Sequence, residues 1–172
     1  MTQLVKVQNF NVSADGFGAG VGQSFERPFG HADPGTMFAW AGATASWPNR
    51  TDPGGTRPPF HTPVFVMTHH VRPSFTLSDT TFHFVDAAPA EVLAQAREAA
   101  QGKDIRIGGG ATTVREFLDA DLIDTLHIVV SPTVTLGEGS RLWESPDELL
   151  DRYHCDVVPS SSGVIHHLFW RR

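Results

Sequence analysis

The sequence predicts an α/β protein whose mixed sheet ends in an antiparallel β-hairpin. Three observations carry this. Short apolar, β-branched runs alternate with segments of helical periodicity through the second half of the chain. One of these runs, Ile105-Arg106-Ile107, stops at Gly108-Gly109-Gly110 and gives way to a helix-compatible segment. The C-terminal stretch holds two β-rich runs around the turn sequence Pro159-Ser160-Ser161-Ser162-Gly163.

The elements follow in order. Leu4 to Val12 reads as a strand, broken by Asp15-Gly16. Thr36 to Trp47 is rich in alanine and aromatics but too short and irregular to predict a helix, and Pro48 to Pro59 is turn-rich without periodicity. Pro63 to Thr68 is a continuous apolar run of buried-strand length, and Thr80 to Val85 is a further strand. Pro89 to Gln101 has helical spacing at Val92, Leu93, Ala96, Ala99 and Ala100, with proline suited to the first turn and Gly102 to the C-cap. After the glycines, Val114 to Ala120 forms a helix burying Val114, Phe117 and Leu118. Thr125 to Val130 is a strand, Leu136-Gly137-Glu138-Gly139 a loop, and Tyr153 to Val158 pairs with Val164 to Trp170.

Length and composition narrow the class. With 172 residues, 40% hydrophobic and 19% charged, the chain reads as a single folded domain, residues 1–172. A net charge of -6 without any Lys/Arg cluster argues against general nucleic-acid affinity. No apolar stretch reaches membrane-spanning length, and Cys155 stands alone, so a cytoplasmic, reducing setting is expected.

The glycine run is the strongest chemical signal. Glycine lets backbone approach a ligand, and the exposed N–H groups of a helix start favour an anion. Thr112 and Thr113 add hydroxyls or an N-cap. On its own the pattern is either a phosphate cradle or a tight strand-to-helix turn. It departs from G-x-G-x-x-G because Thr113 occupies the last glycine position.

Three stretches together resemble a known family. Ser13-Ala14-Asp15-Gly16-Phe17 is similar to its S-L-D-G-F element. Pro58 to His69 resembles its second signature, and the glycine run continues through Val114 to Asp124, Leu126-His127 and Leu136 to Gly139 in a pattern very similar to its third. These mark dihydrofolate-reductase-like proteins related to the reductase (C-terminal) domain of the riboflavin-biosynthesis deaminase-reductase. The resemblance implies a mostly parallel central sheet flanked by helices, with Lys6–Asn11, Val64–Thr68 and Arg106–Ile107 parallel in one sheet. It also implies a homodimer, and NADPH-dependent hydride transfer to a small, pterin- or pyrimidine-like substrate.

Carried over residue by residue, Gly109, Gly110, Ala111, Thr112 and Thr113 would hold the pyrophosphate. Thr68 and His69 would lie near the adenosine ribose or phosphate, and Asn11 would face the nicotinamide, with Asp15 and Gly16 opening the loop over it. Asp15 is either a catalytic proton donor or a turn and loop-positioning residue.

One family unit has no counterpart: a helix, then a strand ending in a G-R-x-T helix start, which belongs in the interval Thr44 to Pro59, about 45–60. Either a segment is missing near Arg57–Pro58, or this is a degenerate member with a repacked sheet. On the second reading the chain is a non-catalytic nucleotide-binding or structural domain.

Other residues invite weaker readings. His69-His70 and His166-His167 are adjacent on strands, so each pair offers at most one ligand to a site, and no Cys/His spacing supports zinc. His31, Asp33 and Glu138 read as loop residues, Trp40 and Trp47 as pocket wall, core or dimer contact. Arg72 reads as a strand-end charge or a 2′-phosphate partner.

Overall fold

A computed structural model describes residues 2–42 and 60–172. In chain order its elements are β1 (Val5–Ser13), β2 (Phe17–Ala19), α1 (Pro34–Met37), α2 (Ala39–Gly42), β3 (Val64–Met67), β4 (Phe75–Leu77) and β5 (Thr80–Val85). Then come α3 (Pro89–Ala100), β6 (Ile105–Ile107), α4 (Ala111–Asp119), β7 (Thr125–Ser131), β8 (Ser140–Arg141), a 3₁₀ turn (Pro146–Leu149), β9 (Tyr153–Pro159) and β10 (Ile165–Arg171). The described residues fall into two compact units.

The larger unit holds a five-stranded sheet in the order β6-β1-β7-β10-β9 and a small β2-β8 ribbon. β1 runs parallel to β7, while β10 is antiparallel to both β7 and β9, which gives the expected C-terminal hairpin. Side chains alternate across a strand and directly paired residues share a face. One face therefore carries Val7, Phe10, Val12, Leu126, Ile128 and Phe169. Here the core sits: Phe169 meets Trp143 and Tyr153 edge-on, and Ala111 of α4 and the Phe10 ring both border Gly18. Helix α4 contributes Ala111, Val114, Phe117 and Leu118, all buried, as its 3.6-residue spacing dictates. The fully buried Tyr153 donates its hydroxyl to the Ile123 carbonyl at 2.8 Å, which settles its one polar group.

The smaller unit holds a three-stranded sheet, β3-β5-β4, with β3 parallel and β4 antiparallel to β5. Helix α3 starts at Pro89, where the absent N–H is not missed, and the Glu91 carboxylate accepts from the Ala88 N–H. It ends on Gln101, at φ 48°, followed by Gly102 at φ 87°.

The α/β class and the hairpin agree with the sequence, but three expectations need correction. Among the described residues Val64–Met67 pairs with β5 alone, and not with β1 or β6 as expected. A strand enters a sheet only through a paired neighbour, and among the described residues none pairs with both β6 and β3, so each ends its own sheet. Helix α4 begins at Ala111 rather than Val114, because Gly110 already takes the extended N-cap conformation. Two one-turn helices, α1 and α2, stand where no helix was expected. Asp33 caps α1 by accepting from the N–H groups of Gly35 and Thr36. The interval 45–60, Trp47 included, lies outside the described residues apart from Phe60.

Candidate active site

The chain leaves β6 into Gly108-Gly109-Gly110 and turns at once into the nine residues of α4. Gly109 has φ 111°, which side-chain-bearing residues rarely adopt, so glycine is required here by the turn itself. Gly110 has φ -86° and ψ 176°, open to any residue. A Cβ at Gly108 or Gly110 would meet nothing within 4 Å, so the turn fronts open space. No side chain caps the helix, and its first closing bond is Val114 N–H to the Gly110 carbonyl at 3.2 Å. The N–H groups of Ala111, Thr112 and Thr113 thus sit at an uncapped helix start, with the positive end of the helix dipole behind them. Ala111 is buried, Thr112 exposed, and the Thr113 hydroxyl lies beside Gly109. Phosphate oxygens fit this donor set, and side chains at 108 and 110 would fill their place.

Asp15 and Gly16 fasten a loop. The Asp15 carboxylate accepts from the Ser13 hydroxyl at 2.6 Å and from the N–H groups of Leu136 at 3.1 Å and Gly137 at 2.7 Å. Burial alone would raise its pKa, but these three donors together hold it below the ordinary 3.8. The Asp15 carboxylate is thus a clasp between two loops, in keeping with the loop-positioning reading of this residue. Gly16, at φ 84°, lies where a Cβ would run into the Trp143 carbonyl, and its own carbonyl accepts from Leu142 N–H at 2.8 Å. Residues 13–19 and 136–143 are locked together by this clasp and the β2-β8 ribbon. His31 adds a second tie, its ring nitrogens bonding Val21 N–H at 3.1 Å and the Leu136 carbonyl at 3.2 Å.

Asn11 lies on the sheet face opposite the core. It pairs with Val129, which pairs with His166, so the three form one row across β1, β7 and β10. From α2, the Trp40 indole N–H donates to Asn11 Oδ1 at 2.9 Å, and its ring stands edge-on to His166 with centroids 5.8 Å apart. Ser131, hydroxyl 3.2 Å from the Met37 carbonyl, lies 3.4 Å from the same Asn11 oxygen. Asn11 is 4% exposed, yet its Nδ2 has no partner among the described residues, an arrangement that costs about 1–3 kcal/mol. Beside this row His127 Nε2 and His166 Nδ1 are 2.9 Å apart. Burial, and then the neighbouring His166, push the His127 imidazole below 6.5.

A β-bulge continues the site. The register shifts between Val7 and Phe10, with Asn9 at φ 55°, so that Gln8 and Asn9 together face His127. An open cleft of about 390 Å³ lies there, lined by Lys6, Gln8, Asn9, Thr125, His127 and Leu168 among others. Its size is that of small-molecule pockets.

In the smaller unit, Thr68 and His69 follow directly on β3. The Thr68 hydroxyl accepts from His70 N–H at 3.0 Å, and His69 Nδ1 is 2.9 Å from Asp86 while its side chain remains 93% exposed. Arg72 takes a part the sequence did not offer: its guanidinium lies 4.1 Å from the Phe84 ring centroid and 5.3 Å from that of Phe75.

The larger unit thus holds Asn11, Asp15, Gly16 and the 109–113 turn; Thr68 and His69 belong to the smaller one. Sequence reasoning missed the Trp40–Asn11 bond and the His127–His166 pair. Both join residues at least 29 positions apart, and only strand register reveals them.

The profile of the RibD C-terminal domain family matches residues 7–157. Among solved structures, a putative riboflavin biosynthesis protein from Shewanella sp. PV-4 aligns at TM-score 0.54 and 20% identity, covering 100% of this chain and 99% of that one. The diaminohydroxyphosphoribosylaminopyrimidine deaminase/5-amino-6-(5-phosphoribosylamino)uracil reductase of Thermotoga maritima aligns at TM-score 0.55 and 14% identity, over 99% of this chain but 57% of that one. Dihydrofolate reductase from Enterococcus faecalis, complexed with NADP(H) and RAB-propyl, aligns at TM-score 0.55 and 16% identity, over 99% and 96%. At these identities the likeness is one of fold. No curated protein matches the chain.

Proposed function

The chain belongs to the RibD C-terminal domain family, a reductase-type family of dihydrofolate-reductase-like fold, and on that premise we propose that it is an NADPH-dependent reductase of a small, pterin- or pyrimidine-like heterocycle. One observation carries the reading: the open, uncapped turn from Gly108 into α4, whose donors suit a pyrophosphate.

In this reading Gly109, Gly110, Ala111, Thr112 and Thr113 hold the pyrophosphate, Thr68 and His69 serve the adenosine ribose or phosphate, and Asn11 faces the nicotinamide. NADPH supplies the hydride. The chain's own work is to bind, orient and exclude water, since hydride transfer needs no protein nucleophile. The Asp15 clasp holds the 13–19 and 136–143 loops fixed beside the end of β1. A cytoplasmic homodimer completes the reading.

Fluorescence titration with NADPH tests it, since Trp40 and Trp143 stand within the larger unit, together with a screen of pterins and pyrimidines for NADPH consumption. Saturable binding and turnover of one acceptor are expected. Binding with no turnover of any acceptor would make the chain a non-catalytic nucleotide-binding domain, and absence of binding a structural one.

A further inference from the structure

Two histidine nitrogens converge on the sheet face that bears the cleft. In the β7–β10 ladder His127 lies opposite Leu168 and His166 opposite Val129, so the two are diagonal neighbours on one face. Their ring centroids are 5.1 Å apart with planes inclined at 38°, and His127 Nε2 comes within 2.9 Å of His166 Nδ1. One N–H shared between neutral rings accounts for this approach. The same pair can also turn two lone pairs on one cation.

Three observations favour that second use. A neutral imidazole carries its proton on either nitrogen. His127 Nδ1 and His166 Nε2 have no hydrogen-bond partner among the described residues, so both protons can sit there and leave the inner nitrogens bare. Burial, and then His166, hold the His127 imidazole below 6.5, which keeps it a neutral donor at pH 7. The spacing is also selective. Metal–imidazole bonds of about 2.0–2.1 Å place two nitrogens about 2.9 Å apart at a right angle and about 3.3 Å apart at the tetrahedral angle. The observed 2.9 Å matches the right angle, which suits square-planar or tetragonal Cu(II) and Ni(II) better than tetrahedral Zn(II). No group of three or more His, Cys, Asp or Glu able to hold a metal occurs among the described residues, but His127 lines the open cleft, where water has access.

We propose that His127 Nε2 and His166 Nδ1 chelate one divalent transition-metal ion of tetragonal preference, Cu(II) or Ni(II), its other positions filled by water from the cleft. The ion ties β7 to β10 in place of the shared N–H. Chain spacing hides the site, because one ligand comes from each of two strands. It does not depend on the reductase reading, and its test uses no nucleotide.

The full chain, stripped with EDTA, is titrated with Ni(II) by calorimetry and with Cu(II) by electron paramagnetic resonance. Saturable binding of one Ni(II), a higher melting temperature with Ni(II), and nitrogen coupling from two imidazoles on Cu(II) are expected. All three should be lost in His127→Gln and in His166→Gln. They should be kept in His70→Gln, which removes an exposed histidine of the smaller unit. Coupling from fewer than two imidazoles in the wild type overturns the proposal, and that spectrum decides even where a variant fails to fold. Binding that persists in folded His127→Gln or His166→Gln, or that disappears in His70→Gln, overturns it as well.

Discussion

Gly110→Val separates ligand binding from folding at the glycine turn. Gly110 sits at φ -86°, ψ 176°, where a β-branched residue is unstrained, and its added side chain would meet no protein atom within 4 Å. The fold should therefore persist. Replacing glycine at an N-cap with valine costs about 1 kcal/mol, about 2–4 °C in melting temperature for a protein of this size. The same side chain fills the space in front of the Ala111–Thr113 N–H groups. Losing two charge-assisted hydrogen bonds at about 1.5–3 kcal/mol each weakens NADPH binding by at least about a hundredfold. Titration of both proteins by tryptophan fluorescence, with a thermal melt of each, measures the two effects separately. Undiminished NADPH affinity in a folded Gly110→Val protein would refute the placement of the pyrophosphate. Gly109→Val is the poorer probe, because φ 111° makes it a folding mutant first. Should Gly110→Val lose more stability than expected, Thr112→Ala removes one exposed hydroxyl and leaves the turn intact.

Further outcomes are expected elsewhere in the chain. Gly16→Ala forces a Cβ into the Trp143 carbonyl at a positive φ and should lose about 2–3 kcal/mol, read from urea melts; a loss below 0.5 kcal/mol, about the scatter of a surface substitution, would count against the close approach. Asp15→Asn keeps the shape but not the charge and should cost about 1–2 kcal/mol at pH 7. Because the folded Asp15 has a depressed pKa, wild type holds that advantage above the ordinary 3.8 and loses it as pH falls through the folded value, so the two proteins should converge in acid; a gap that persists there would be evidence against the clasp. Burial depresses both His127 and His167, so the unfolded chain takes up protons first as pH falls below 6.5; stability should decline there, and His127→Gln should flatten the slope between about pH 5 and 7. The expected homodimer should sediment at twice 18.8 kDa, with Trp170 and Val158, 39% and 46% exposed, on the same sheet face as its natural contact; monomeric mass at micromolar concentration would argue otherwise.

Local signals were legible wherever one short stretch contained them. Helix α3 announced itself through Pro89, its apolar spacing and Gly102, and the hairpin through its Ser/Gly turn. The glycine turn was legible for the same reason, since φ requirements are local. Long-range pairing was not. Nothing in Val64–Met67 alone distinguishes a strand of the main sheet from one paired only with β5, because a buried apolar run satisfies either. Asp15 could be named but not assigned, since its partners at 136 and 137 are 121 and 122 residues away. The Asn11 row was hidden most deeply. Its meaning depends on Trp40 from an unpredicted helix and on a register set by β7 and β10.

The bulge in β1 also divides that strand into two segments of opposite parity. Before it the buried apolar positions are odd, Val5 and Val7; after it the core-facing ones are even, Phe10 and Val12. The strand thus behaves like a sentence with a shifted reading frame, correct on both sides of the shift only because the shift is there. Drawn out as a regular strand with Asn9 kept, β1 would turn one half inside out against β7, sending either Val5 and Val7 or Phe10 and Val12 toward the cleft; excising Asn9 would instead leave all four on the core face in the same register. Substitution of Asn9 disturbs little packing, since Gln8 and Asn9 are exposed, but its φ of 55° favours asparagine or glycine over a β-branched residue. Along β1 it is the bulge that lets two runs of opposite parity serve one core, and a length change elsewhere in the strand has no such allowance.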